Sequence, residues 1–135
     1  MDRVSEPWHR EIVELHEFFE ELFLGTTDSL ARADAALADE FTMAGPHGIV
    51  SPRETVMSQL EAGIAHTTEL TILIEEPRLL CETDDLVVAE YVEVHQLREG
   101  RGNRRRTTVV FRKDPDGPNG LRWLRAHETW IEPTD

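Results

Sequence analysis

Tyr91, Glu93 and His95 fall at alternate positions of the segment LVVAEYVEVHQL (residues 86–97), and Glu128 lies in LRWLRAHETWI (121–131). In an extended chain alternate side chains share a face, so a phenol, a carboxylate and an imidazole line up along one strand. His95, two residues from Glu93 on that face, is placed to share its proton. A carboxylate held in apolar surroundings has its pKa raised, which suits general acid or base work on an enolisable or hydroxylated molecule. Glu93, Glu128, Tyr91 and His95 have the chemistry for such work, provided that a fold gathers them around one pocket. The competing reading is that Glu93 sits in water or pairs with an arginine, since ion pairs also perturb pKa values.

Other chemistries find less support. No two histidines have the i, i+4 helical spacing of a zinc site with a further ligand nearby, so no metal is expected, and no cofactor motif occurs. Arg104, Arg105 and Arg106, with Arg98 and Arg101, form the basic cluster. Nucleic-acid binding would need aromatic residues among them and a basic face beyond. The alternation of a strand divides such a run between solvent, a pocket rim and ion pairs with nearby acids. The chain carries 27 acidic against 14 basic residues, a net charge of -13, and Lys113 is its single lysine. Such a surface repels nucleic acid and anionic membranes. A high-salt cytoplasm would tolerate it, and a GC-rich genome explains the lysine count equally well.

These groups need a scaffold, and 135 residues are enough for one domain with its own core. Cys81 is the lone cysteine, which fits a reducing compartment; within the run LLC it reads as a buried small hydrophobe. No signal peptide or membrane span is visible, so a soluble cytoplasmic protein is expected.

The first half of the chain reads as helices. Ser5, Glu6 and Pro7 mark a start, and Trp8, Ile12, Leu15, Phe19, Leu22 and Phe23 form an apolar stripe that ends near Gly25. Asp28 or Ser29 caps a second, shorter helix carrying Leu30, Ala33 and Leu37. An extended piece at Phe41 to Met43 and the turn AGPHG follow. Ser51-Pro52-Arg53-Glu54 then offers a capping box, with proline at the first helical position, before a helix with Val56, Leu60 and Ile64 on one side.

From residue 69 the apolar period changes to 2. Leu70, Ile72 and Ile74 alternate, strand character resumes at 79–83 after Pro77, and three long strands follow at 86–97, 104–113 and 121–131. Helices first and strands afterwards predict an α+β domain with helices on one face of a mostly antiparallel sheet. Both faces of the long strands are partly apolar. Helices cover one face, so the other is expected to meet a second copy of the chain, giving a homodimer.

The segment DEFTMAGPHGIVSPRE leading into a helix, the strands EYVEVHQL and TTVVFRK, and the closing W-x-x-x-H of WLRAHETW resemble the nuclear transport factor 2-like superfamily. Within it the chain is similar to the SnoaL-like and calmodulin-dependent kinase association-domain branch, over about residues 8–131. The resemblance implies a cone, with a bent sheet wrapped around the first helix, a pocket at the wide end, and dimerisation through the outer sheet face. It places Tyr91, Glu93 and His95, then Thr107, Val109 and Phe111, then Leu124, Ala126, Glu128 and Trp130 on the concave side. The association domains carry arginines at the positions of Glu93, Val109 and Trp130, so their arginine-lined site is not expected here.

The ligand-binding set implied is Tyr91, Glu93, His95, Val109, Phe111, Leu124 and Trp130, with His47 at the pocket rim or simply in its turn. His16, one residue past the helical stripe, could tilt into the cone, although packing or solvent is the simpler account. His127 belongs to the outer face. The function expected is binding of a small, largely apolar organic molecule. One alternative is an enzyme of SnoaL-like or ketosteroid-isomerase-like type, with Glu93 or Glu128 as base and Tyr91 or His95 as partner. The other is a non-catalytic interaction module whose cavity is filled by side chains.

Overall fold

A computed structural model of the chain describes residues 6–97, 100 and 102–132. Ser5, Arg98 and Arg101 lie outside the described residues. Helix α1 spans Pro7–Leu24 and buries Trp8, Ile12, Leu15, Phe18 and Leu22. Proline in the first turn costs nothing, because its missing N–H would have no intrahelical partner. The helix closes on Gly25 at φ 81°, whose N–H donates to Leu22 O while Thr26 N–H donates to Glu21 O. These two bonds make a Schellman cap, and the left-handed conformation they require favours glycine.

Helix α2 is short, Ala31–Ala36, with Ser29 Oγ accepting from Ala31 N–H at 3.2 Å. Leu37, expected at its end, instead opens strand β1, Leu37–Ala44. Ser51 and Pro52 are taken up by strand β2, Val50–Pro52, which pairs with β1. Hence the expected capping box does not form: Pro52 is the N-cap of helix α3, Arg53–Ala62, without a side-chain cap. Arg53 anchors the entry to α3 by donating to Leu37 O and to Asp34.

Strand β3, Thr71–Glu82, runs unbroken through Pro77 with bulges on both sides of Arg78. Strands β4 (Leu86–Gln96), β5 (Gly102–Lys113) and β6 (Leu121–Trp130) follow. The sheet order is β2-β1-β6-β5-β4-β3, with β1 and β6 parallel and every other pair antiparallel. The result is an α+β arrangement: a curved, unclosed sheet whose hollow holds α1.

Two expectations fail for reasons of edge and register. Cys81 is exposed, as are Leu79 and Leu80, because they lie on the outer half of an edge strand with one neighbour only. In β6 the pairing slips: Val110 faces Arg125 but Phe111 faces Trp123, leaving Leu124 as the extra residue of a bulge. Trp123 therefore turns inward, its ring 4.8 Å from that of Phe111, and Leu124 loses the inward place that strict alternation gave it.

A fully buried carboxylate holds α1 to the rest. Glu11 accepts from both Arg32 terminal nitrogens (2.7 and 3.1 Å), from Asn119 Nδ2 (2.9 Å) and from Trp123 Nε1 (2.9 Å). Four donors on one carboxylate offset the desolvation that burying it costs.

Candidate functional site

The hollow between α1, α3 and the sheet contains a cavity of about 220 Å³. Leu15, Phe19 and Phe23 of α1, Phe41 and Met43 of β1, and Val56 and Leu60 of α3 give it an apolar wall. Opposite stand Tyr91, Glu93 and His95 of β4, Arg105 of β5 and Glu128 of β6, with His16 entering from α1.

His16 organises this polar side. Its Nδ1 lies 2.7 Å from Ile12 O and its Nε2 lies 3.0 Å from Glu93 Oε1. The Ile12 carbonyl accepts, and so does an ionised Glu93, so this geometry favours a ring protonated at both nitrogens. Burial opposes that charge, but the Glu93 carboxylate, the bonds to Glu93 and Ile12, and the more distant Glu128 outweigh it, and the pKa of His16 is raised. On Glu93 burial likewise works against ionisation. The His16 charge and the hydrogen bonds from His16 and His95 prevail and hold its carboxyl well below the usual range.

The second oxygen of Glu93 accepts from His95 Nε2 at 2.5 Å, while His95 Nδ1 finds no partner among the described residues. One carboxylate is thus held between two imidazoles, one buried and one at the cavity edge. The Tyr91 hydroxyl lies 3.5 Å from His16 Nε2, too far for a strong bond, and burial beside two carboxylates raises its pKa well above the ordinary value. Tyr91 stays a neutral phenol.

Glu128 is shifted the other way from Glu93. Burial and the charge of Glu93 raise its pKa, and the Arg105 guanidinium, donating at 3.2 Å, offsets only part of this. Two carboxyl groups facing one cavity therefore differ in proton affinity, the pattern by which acid and base roles are divided in a site. Arg105 also donates to Asn103 Oδ1 and lies over the Trp130 ring, 4.8 Å from its centroid.

Of the residues named from sequence, Tyr91, Glu93, His95 and Glu128 converge on the cavity. Val109 and Phe111 are fully buried in the core behind it and Leu124 is displaced by the bulge, so none of these three is in its lining. Trp130 stands at the edge under Arg105, and exposed His47 packs edge-on to it at 6.1 Å. His127 is exposed. Sequence reasoning allowed His16 to tilt into the cone but preferred packing or solvent for it, although its spacing from Ile12, Phe19 and Phe23 is that of the helix's inner side. Strict alternation put Trp123, a core or interface anchor by its size, on the outer face, because its inward turn depends on the bulge, and the Glu11 network was missed. Among the described residues no group of three or more His, Cys, Asp or Glu side chains is arranged to hold a metal ion.

Neither a family model nor a curated protein matches the sequence. Solved structures do. An NTF-2-like protein of unknown function from Pseudomonas aeruginosa superposes with a TM-score of 0.85 at 26% identity, over 93% of this chain and 99% of that one. The fold is that of the nuclear transport factor 2-like superfamily. Other NTF2-like neighbours show the same shape. The association domain of the Caenorhabditis elegans kinase CaMKII has a TM-score of 0.68 at 13% identity, over 94% of this chain and 99% of that one. A Shewanella frigidimarina protein provisionally assigned as a ketosteroid isomerase has 0.67 at 20%, over 94% and 98%. At these identities the likeness is one of NTF2-like fold, and the chemistry must be argued from the side chains.

Proposed function

We propose that this chain, as a single domain, binds a small, largely apolar molecule with one polar group in its cavity, and that His95 and Glu128 move a proton on it. The supporting observation is the cavity itself: open, apolar on the helix side, and faced on the sheet side by two carboxyl groups of opposite pKa shift. A cavity of about 150 Å³ holds a benzene ring, so 220 Å³ accommodates about one substituted ring. A cone closed by Phe111 and Trp130 would favour an interaction module, and the space of about 220 Å³ that remains counts against it.

Glu93 has both oxygens engaged and a strongly lowered pKa, which suits it to holding His95 rather than to taking the proton itself. With Nε2–H given to Glu93, the His95 Nδ1 lone pair is the base. Glu128, whose carboxyl keeps its proton to higher pH, is the acid that returns it, and Tyr91 supplies a neutral hydroxyl.

Hydrogen–deuterium exchange at the α-carbon of cyclohexanone in D₂O, followed by NMR, tests proton transfer without knowledge of the product. Exchange above the buffer rate that falls by about 100-fold in His95→Gln is expected, in keeping with the contribution of a positioned acid or base. Equal exchange in both proteins would remove His95 from the role.

The reading extends to a homodimer through the outer sheet face. Leu73, Leu86, Val88 and Val110 give that face exposed or half-exposed apolar surface between Arg106 and Arg112. The lone cysteine fits a cytoplasmic location, and no described helix is long and apolar enough to cross a membrane.

A further inference from the structure

A second hollow, of about 640 Å³, lies at the ends of β4, β5 and β6, half open to solvent. His95 lines both it and the inner cavity. The wall between them is otherwise made by Arg105, which lines the cavity while its guanidinium rests on Trp130 and donates at 2.6 Å to Asn103, both of which line the groove. The two spaces are therefore neighbours, divided by side chains and joined at the residue proposed above as the base.

Their chemistries differ. Asn103 and Trp130 stand in the groove on the same sheet face as His95, while Arg104 belongs to the opposite face and Glu132 lies just past the end of β6. Arg104 is already engaged by Glu75 at 3.1 Å and Glu76 at 3.9 Å, and Glu132 and the net charge of -13 disfavour a further anion. The Asn103 carboxamide, with an aromatic side chain beside it, suits hydroxyl or amide groups without charge.

We infer that the groove is the second half of the binding site, and that the ligand is bipartite: a one-ring apolar head in the cavity joined to a neutral, hydroxyl- or amide-bearing tail in the groove. This rests on the cavity reading above and adds the substrate class. It also places the bond that joins head to tail beside His95.

Calorimetric titration with three probes tests it: phenol for the head alone, phenyl β-glucoside for the head with a neutral polyol, and phenyl phosphate for the head with an anion. The glucoside is expected to bind at least tenfold more tightly than phenol, and phenyl phosphate no more tightly than phenol. Asn103→Ala, at an exposed position, should bring the glucoside down to the level that phenol shows with the same variant. If phenol binds and the glucoside gains nothing, or the gain survives Asn103→Ala, the groove is not a subsite and the cavity reading stands. If phenyl phosphate binds tightest, the tail class is wrong. If no probe binds, the cavity reading falls and the inference with it.

Discussion

The buried His16–Glu93 pair couples stability to pH in a definite direction. The folded pKa of His16 is raised above 6.5, so its contribution is complete below that pH and is lost as pH rises through the folded value. The folded pKa of Glu93 is lowered below 4.5, so its contribution is present above 4.5 and is lost as pH falls toward the folded value. The pair stabilises most between those limits. Melting temperatures of wild type and His16→Gln across pH 5 to 9 should differ most near the acid end of that range and converge toward alkaline pH. A constant difference would mean that the pair is not ionised. Glu93→Gln should destabilise by about 3 kcal/mol near pH 6, measured by urea unfolding, because it leaves one buried charge without its partner. Tyr91, Glu93 and His95 were legible as a set because strand alternation is a local rule. Their partner His16 was not, since one helix position names a side of the helix and not what stands opposite.

At the scale of elements, the Schellman cap at Gly25 is a point sensitive to substitution. A Cβ there would lie 2.7 Å from the Ala65 Cβ, in a backbone conformation at φ 81° that already disfavours side chains. Gly25→Ala should therefore cost about 2 kcal/mol or more, seen as a lower midpoint in denaturant unfolding. Gly48, also at positive φ but with open space around it, should suffer only the conformational part of that loss. The helical stripe of α1 and the three long strands follow from periodicity, which one segment carries alone. The bulge at Leu124 and the loss of the Ser51 capping box do not: each is decided by a neighbouring strand, β5 in one case and β1 in the other. That is why Trp123 and Leu124 exchange the places that alternation assigns them.

For the molecule as a whole, the charge and the outer sheet face bear on the proposed dimer. Light scattering should give twice the chain mass, with the dimer favoured at high salt, where screening relieves the repulsion of a net charge of -13. Monomer alone in both low and high salt would refute the interface on the outer face. The partly apolar character of both strand faces was readable from the sequence; the identity of what covers the outer one is not a property of a single chain.

The parallel ladder has a consequence for how the protein is made. Leu37 and Phe41 belong to a strand whose long partner, β6, is synthesised after every other strand of the sheet, and Leu37 pairs with Trp123. Until then β1 has only the three-residue β2 beside it, and Trp123 is not yet there to give Glu11 its indole N–H. Folding must wait for contacts far apart in sequence, which slows it and leaves the nascent N-terminal half with an unpaired edge. Chains that stop short of Leu121 should be captured by chaperones or degraded, because β1 would lack its long partner and the cavity would lack one wall.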